Sequence, residues 1–234
     1  DLELEMAFEK IRSCILFSDV KDTRNSKFLR FQSALALQCF TNEYVYKTDN
    51  AETEALNILE ASIKRIITKG KQPNPQSILC LASYKALNEY EWCDSLSLNS
   101  DIQEVFTRQV LEPKKEADMK SDIPALQKIT DKVSTIVRDQ YEQSPYPRWV
   151  NLGLPLNPAA ISEVTDELNL RIFDYSIFEV SAPKILIAGC GTGQHPISTA
   201  ARFKNSQILA IDLSLSSLAY AKRKTEELGF KNID

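Results

Sequence analysis

The chain is 234 residues long, 43% apolar and 26% charged, with a formal net charge of −4. That length suits one large domain or two small ones, and the composition excludes a disordered tail, a collagen-like fibre and a disulfide scaffold. Apolar runs of only a few residues exclude a membrane-spanning helix, and mixed charges of near balance give no basic field for nucleic acid.

Residues 28–44 (Phe28, Phe31, Leu35, Leu37, Cys39, Phe40) are apolar nearly all round and read as a helix buried among others. Leu56, Leu59, Ile63, Ile66 and Ile67 follow the 3.6-residue period, with Gly70 where a helix-ending glycine belongs. Val133, Ile136, Val137 and Tyr141 form a second stripe. Gln32–Leu37 resembles Gln76–Leu81, and Asn42–Tyr44 resembles Asn88–Tyr90, at unequal offsets that leave a helical repeat open. No strand-like alternation precedes residue 180, so residues 1–143 read as a helical bundle or short repeat domain.

Pro145, Pro147, Pro155 and Pro158 mark residues 144–158 as a linker or docking segment. Residues 159–234 then change character. A further helix is expected over 159–169, and Lys184-Ile185-Leu186-Ile187-Ala188 reads as a buried strand. Pro196 opens a helix through Phe203, and Gln207-Ile208-Leu209-Ala210-Ile211 is a second strand ending at Asp212. Ser214 suits the N-cap of a last helix carrying Leu215, Leu218, Ala219 and Leu228 and closed by Gly229. The charge run Lys222-Arg223-Lys224 is expected on its solvated face. Strand, helix, strand, helix is the opening half of a doubly wound α/β sheet. The expected fold class is therefore α + α/β.

Five scattered cysteines without a C-x-x-C pair, and one histidine, give no basis for a metal site and suggest a reducing, cytoplasmic setting. The chain begins at Asp1 rather than Met and stops at residues 231–234, where a new strand is due, so a fragment is expected.

The loop Gly189-Cys190-Gly191-Thr192-Gly193 joins strand to helix. Glycines there admit positive φ and close approach of a ligand, and the helix N-terminus offers N–H groups to an anion. Asp212, at the end of the next strand, is placed to accept hydrogen bonds from ribose hydroxyls. A nucleoside-containing cofactor is the expectation. The dinucleotide pattern G-x-G-x-x-G/A requires a small third residue, and that position holds Gln194.

The G-x-G-x-G spacing, with Ile-Leu-Ile-Ala-Gly-Cys-Gly-Thr-Gly-Gln-His and Ala-Ile-Asp-Leu-Ser around it, resembles the class I S-adenosylmethionine-dependent methyltransferases. Residues 36–45, 109–113 and 139–149 (Asp-Gln-Tyr-Glu-Gln-Ser-Pro-Tyr-Pro-Arg-Trp) resemble bacterial members with a helical, tetratricopeptide-like N-terminal region. The resemblance implies a Rossmann-like domain, incomplete here, and methyl transfer from S-adenosylmethionine to an unidentified small molecule or protein. It implies that Gly189, Cys190, Gly191 and Gly193 hold the methionine portion, Asp212 the ribose, and Leu213 the adenine edge. One departure stands out: many members carry an acidic residue where this chain has Ile187.

Tyr146 and Arg148 read either as part of an anchored linker or as a lid, with Arg148 pairing a carboxylate. His195 reads as a local first-turn residue rather than a catalyst, and Cys190 as a small buried residue whose backbone meets the ligand. No general base can be named. Two rival readings are an NAD(P)-dependent oxidoreductase and a helical protein-interaction module beside a vestigial methyltransferase half.

Overall fold

The computed structural model describes residues 2–18, 26–126, 130–143 and 145–234; Ser144, where the proline-rich segment was placed to begin, lies outside them. The chain divides into two compact units, Asp1–Lys114 and Lys115–Asp234.

The first unit is built from α1 (Leu2–Phe17), α2 (Ser26–Thr41), α3 (Asn50–Thr68), α4 (Pro75–Ala82) and α5 (Gln103–Phe106). α3 starts in a capping box, with Asp49 accepting from Glu52 N–H at 2.7 Å and Glu52 accepting from Asp49 N–H at 3.0 Å. It ends as expected, with Gly70 at φ +68 and the Lys71 N–H bonded back to Ile66. α2 corrects the expectation of all-round burial: Leu29, Leu35, Ala36, Cys39 and Phe40 face inward, whereas Phe31 is 43% exposed. It also stops at Thr41, because Glu43 and Tyr44 turn the chain with positive φ. The look-alike segments occupy different places: Gln32 lies mid-way along α2, whereas Gln76 follows the Asn74 cap at the start of α4.

After α5 the helix widens into a π-type turn over Thr107–Leu111 and returns to α6 (Glu112–Met119). Pro113 has no N–H to donate and its ring crowds the preceding turn, which accounts for the widening. The fully buried Gln109 gains a job there. Its Oε1 accepts from Leu87 N–H at 3.1 Å, and its Nε2 donates to the Ala82 and Ala36 carbonyls at 3.0 and 3.3 Å.

The second unit contains α7 (Lys132–Gln143), α8 (Ile161–Glu167), β1 (Lys184–Ala188), α9 (Gln194–Arg202), β2 (Gln207–Ile211) and α10 (Leu215–Glu227). The division thus groups α7, which periodicity put with the helical half, with the strands. Its apolar stripe does not make a core, since Val133 and Ile136 are 68% and 60% exposed. α7 is held by its polar C-terminal end instead.

β1 and β2 pair in parallel, Lys184 opposite Gln207 through Ala188 opposite Ile211. On one face Ile187 and Ile208 are buried with Cys190 and Ala200; on the other Leu186 and Leu209 are exposed. Ile187 is therefore a core residue in this chain, which explains an apolar side chain at that position. Beyond β2, Ile208 N–H donates to Asn232 at 2.8 Å and Asp234 N–H donates to Ile208 at 2.9 Å. The last residues thus run parallel to β2 on the edge away from β1.

α10 corrects the expectation of a solvated charge run. Arg223 and Lys224 are only 4% and 2% exposed. Buried cations need partners. Arg223 pairs with Glu116 at 2.8 Å, and Lys224 pairs with Glu227 at 3.0 Å and lies over the Trp149 ring.

Candidate functional site

The carboxyl ends of β1 and β2 bring the glycine loop and Asp212 together. Gly189 and Cys190 N–H both donate to the Ile211 carbonyl, at 2.8 and 3.1 Å, so the loop leaves the sheet still tied to β2. Gly191 N–H then donates to Asp212 Oδ2 at 2.8 Å, and Ser214 N–H donates to Asp212 Oδ1 at 3.0 Å. Each carboxylate oxygen carries one backbone hydrogen bond and keeps acceptor capacity for another donor. Asp212 is half-buried and Leu213 beside it is exposed.

The glycines differ in what they leave open. A Cβ on Gly191 (φ +53) would meet nothing within 4 Å, so nothing packs over this stretch of backbone. A Cβ on Gly193 (φ +89) would lie 2.8 Å from Ala221 Cβ and 3.0 Å from its Cα. Gly193 therefore lets α9 begin against α10, a packing duty distinct from direct ligand contact. Cys190 is buried, and burial together with the Asp212 charge pushes its thiol up to about 12, so it stays protonated at neutral pH. His195 is exposed in the first turn of α9.

The segment after α7 packs on this site. Trp149, 6% exposed, donates from Nε1 to the Thr192 carbonyl at 2.9 Å, and Thr192 Oγ1 donates to the Pro147 carbonyl at 2.7 Å. Trp149 N–H donates to Tyr220 Oη at 3.0 Å, which donates back to the Trp149 carbonyl at 2.6 Å. Of the two candidate lid residues, Tyr146 is exposed and Arg148 is partly buried. Among the described residues, no group of three or more His, Cys, Asp or Glu side chains gathers as a metal site would require, and no helix is long and apolar enough to cross a membrane.

Glu142 escaped the sequence reading. Its Oε1 accepts from Lys120 Nζ at 2.9 Å, and its Oε2 accepts from Ser214 Oγ and Ser216 N–H at 3.1 and 3.0 Å. Partial burial pushes the carboxyl up, but the bonds from Lys120 and from the Ser216 N–H outweigh it and hold it at about 2, against an ordinary 4.5. The available signal was the i, i+4 row Ser216–Tyr220–Lys224, polar residues on what proves to be a buried face of α10.

Residues 185–234 match a family described as a methyltransferase domain. Comparison with curated proteins and with solved structures finds no match. The matched residues run from Ile185 in β1 through the glycine loop, β2 and Asp212 to α10.

Proposed function

We propose that the second unit binds S-adenosylmethionine and serves S-adenosylmethionine-dependent methyl transfer. The observation that carries the reading is the bare backbone at Gly191 directly beside Asp212, with both carboxylate oxygens still able to accept. Ribose hydroxyls would donate to Asp212, the adenine edge would lie along Leu213, and the methionine portion would lie along Gly189, Cys190 and Gly191. The cofactor supplies an already activated methyl on a sulfonium, so the protein's contribution is placement of donor and acceptor. No side chain at the site is assigned as a base. The acceptor is a small molecule or a protein, the first unit is a recruiting module for it, and a cytoplasmic setting agrees with cysteines that are all free.

Asp212→Ala tests the assignment. Retention of radiolabelled S-adenosylmethionine by the unaltered chain should fall at least tenfold in the variant, about the worth of a charge-assisted hydrogen-bond pair. Equal retention by both proteins would remove the ribose role from Asp212.

A further inference from the structure

Glu142 and residues 145–150 lie along α10 as a two-part strap, each contact one helical turn after the last. Glu142 meets Ser216, Trp149 meets Tyr220, and the Val150 carbonyl accepts from Lys224 Nζ at 3.3 Å. The two ends of the strap reach the two halves of the candidate site. At one end, Ser214 Oγ donates its single proton to Glu142, which leaves its lone pairs to accept from Ser217 N–H at 3.1 Å and cap α10. Ser214 N–H in turn holds Asp212. At the other end, Trp149 and Pro147 clasp Thr192, next to Gly191. The Gly191–Asp212 bond closes the ring.

We propose that Glu142 is a positioning residue for the cofactor site: by fixing Ser214 and Ser216 from outside the sheet, it sets the Asp212 carboxylate and its bond to Gly191 before ligand arrives. The proposal rests on the cofactor reading above. Its physical basis is that a polar turn at a strand end has few apolar contacts of its own, so its geometry depends on the hydrogen bonds that brace it. Glu142 supplies an ionised acceptor at that point and Lys120 balances its charge, with Lys120 Nζ also donating to Ser216 Oγ at 2.6 Å. The Ser216 hydroxyl donates to the Glu142 backbone carbonyl at 2.8 Å, so the brace holds main chain as well as side chain.

Glu142→Gln replaces one carboxylate oxygen with a donor facing either Lys120 or the Ser216 N–H. Two readouts apply, both at a temperature where circular dichroism shows the variant folded. The first needs no ligand: amide exchange at Gly191 should quicken about tenfold relative to Ile208 in β2, as local loosening requires. The second is affinity for S-adenosylhomocysteine, expected about tenfold weaker in the variant. Equal acceleration at Gly191 and Ile208, or none at either, overturns the brace. Unchanged affinity in a variant whose Gly191 amide is loosened overturns its role in binding. Failure of the unaltered chain to bind overturns the cofactor reading instead, while the exchange arm still decides on the brace. Should Glu142→Gln not fold, Ser216→Ala removes one arm of the clasp and should give the same pattern at about threefold.

Discussion

Gly191 and Gly193 stand two residues apart in one loop and answer to different demands. At Gly191 an added methyl has free space but a left-handed backbone, a cost of about 1–2 kcal/mol. At Gly193 the same backbone cost is joined by a collision with the backbone and Cβ of Ala221, neither of which can swing aside. Gly193→Ala should therefore destabilise the second unit by roughly twice as much as Gly191→Ala, or about 3 kcal/mol. Urea unfolding of the two variants measures this directly. Equal losses would mean that α9 and α10 are not in close contact at that point. The same comparison shows what sequence could convey at this scale. Three glycines in a strand–helix turn raised the expectation of a ligand loop, but nothing local distinguished the bare glycine from the packed one, because the packing partner lies 28 positions away at Ala221.

Among the elements, α7 is joined to α10 through a charged group. Its apolar stripe is largely exposed, and its C-terminal end is tied to α10 through Glu142. The Glu142 carboxyl is held at about 2 in the folded chain against 4.5 when free. A depressed folded value means that the stabilisation is fully present above pH 4.5 and is lost as pH falls toward 2. Relative to intrinsic exchange, protection of amides at the C-terminal end of α7 and in the first turn of α10 should fall over that window, and Glu142→Gln should remove most of that fall at those amides. An identical pH profile in the variant would place the titrating group elsewhere. Strands, glycine loop, Ser214 cap and helix end were legible from sequence because each is specified by neighbours within a few residues. The burial of Arg223 and Lys224 was not, because the groups that cover them, Glu116, Trp149 and Val150, lie far back in the chain, while their local partner Glu227 is equally compatible with an exposed face. The same holds for Gln109, whose amide is explained only once Leu87, Ala82 and Ala36 meet it.

Across the whole molecule, the two units are unequally furnished. The first holds a continuous apolar cluster of sixteen described residues. The second has clusters of four and three buried apolar residues and a two-stranded sheet with Leu186 and Leu209 exposed on one face. Short sheets with one open face are marginal in water, and an unpaired edge invites association. Native-state hydrogen exchange should find β1 and β2 opening at lower free energy than α2 and α4, and the difference should narrow on adding a ligand that binds only the folded second unit. Uniform protection across both units would contradict this.

We propose above that the ends of β1 and β2 form an S-adenosylmethionine site. Calorimetric titration of the chain with S-adenosylhomocysteine, and separately with NAD, tests it most directly. Saturable heat with S-adenosylhomocysteine, none with NAD, and loss of the signal in Asp212→Ala are expected. Binding of NAD in place of S-adenosylhomocysteine, or an undiminished signal in Asp212→Ala, would contradict it.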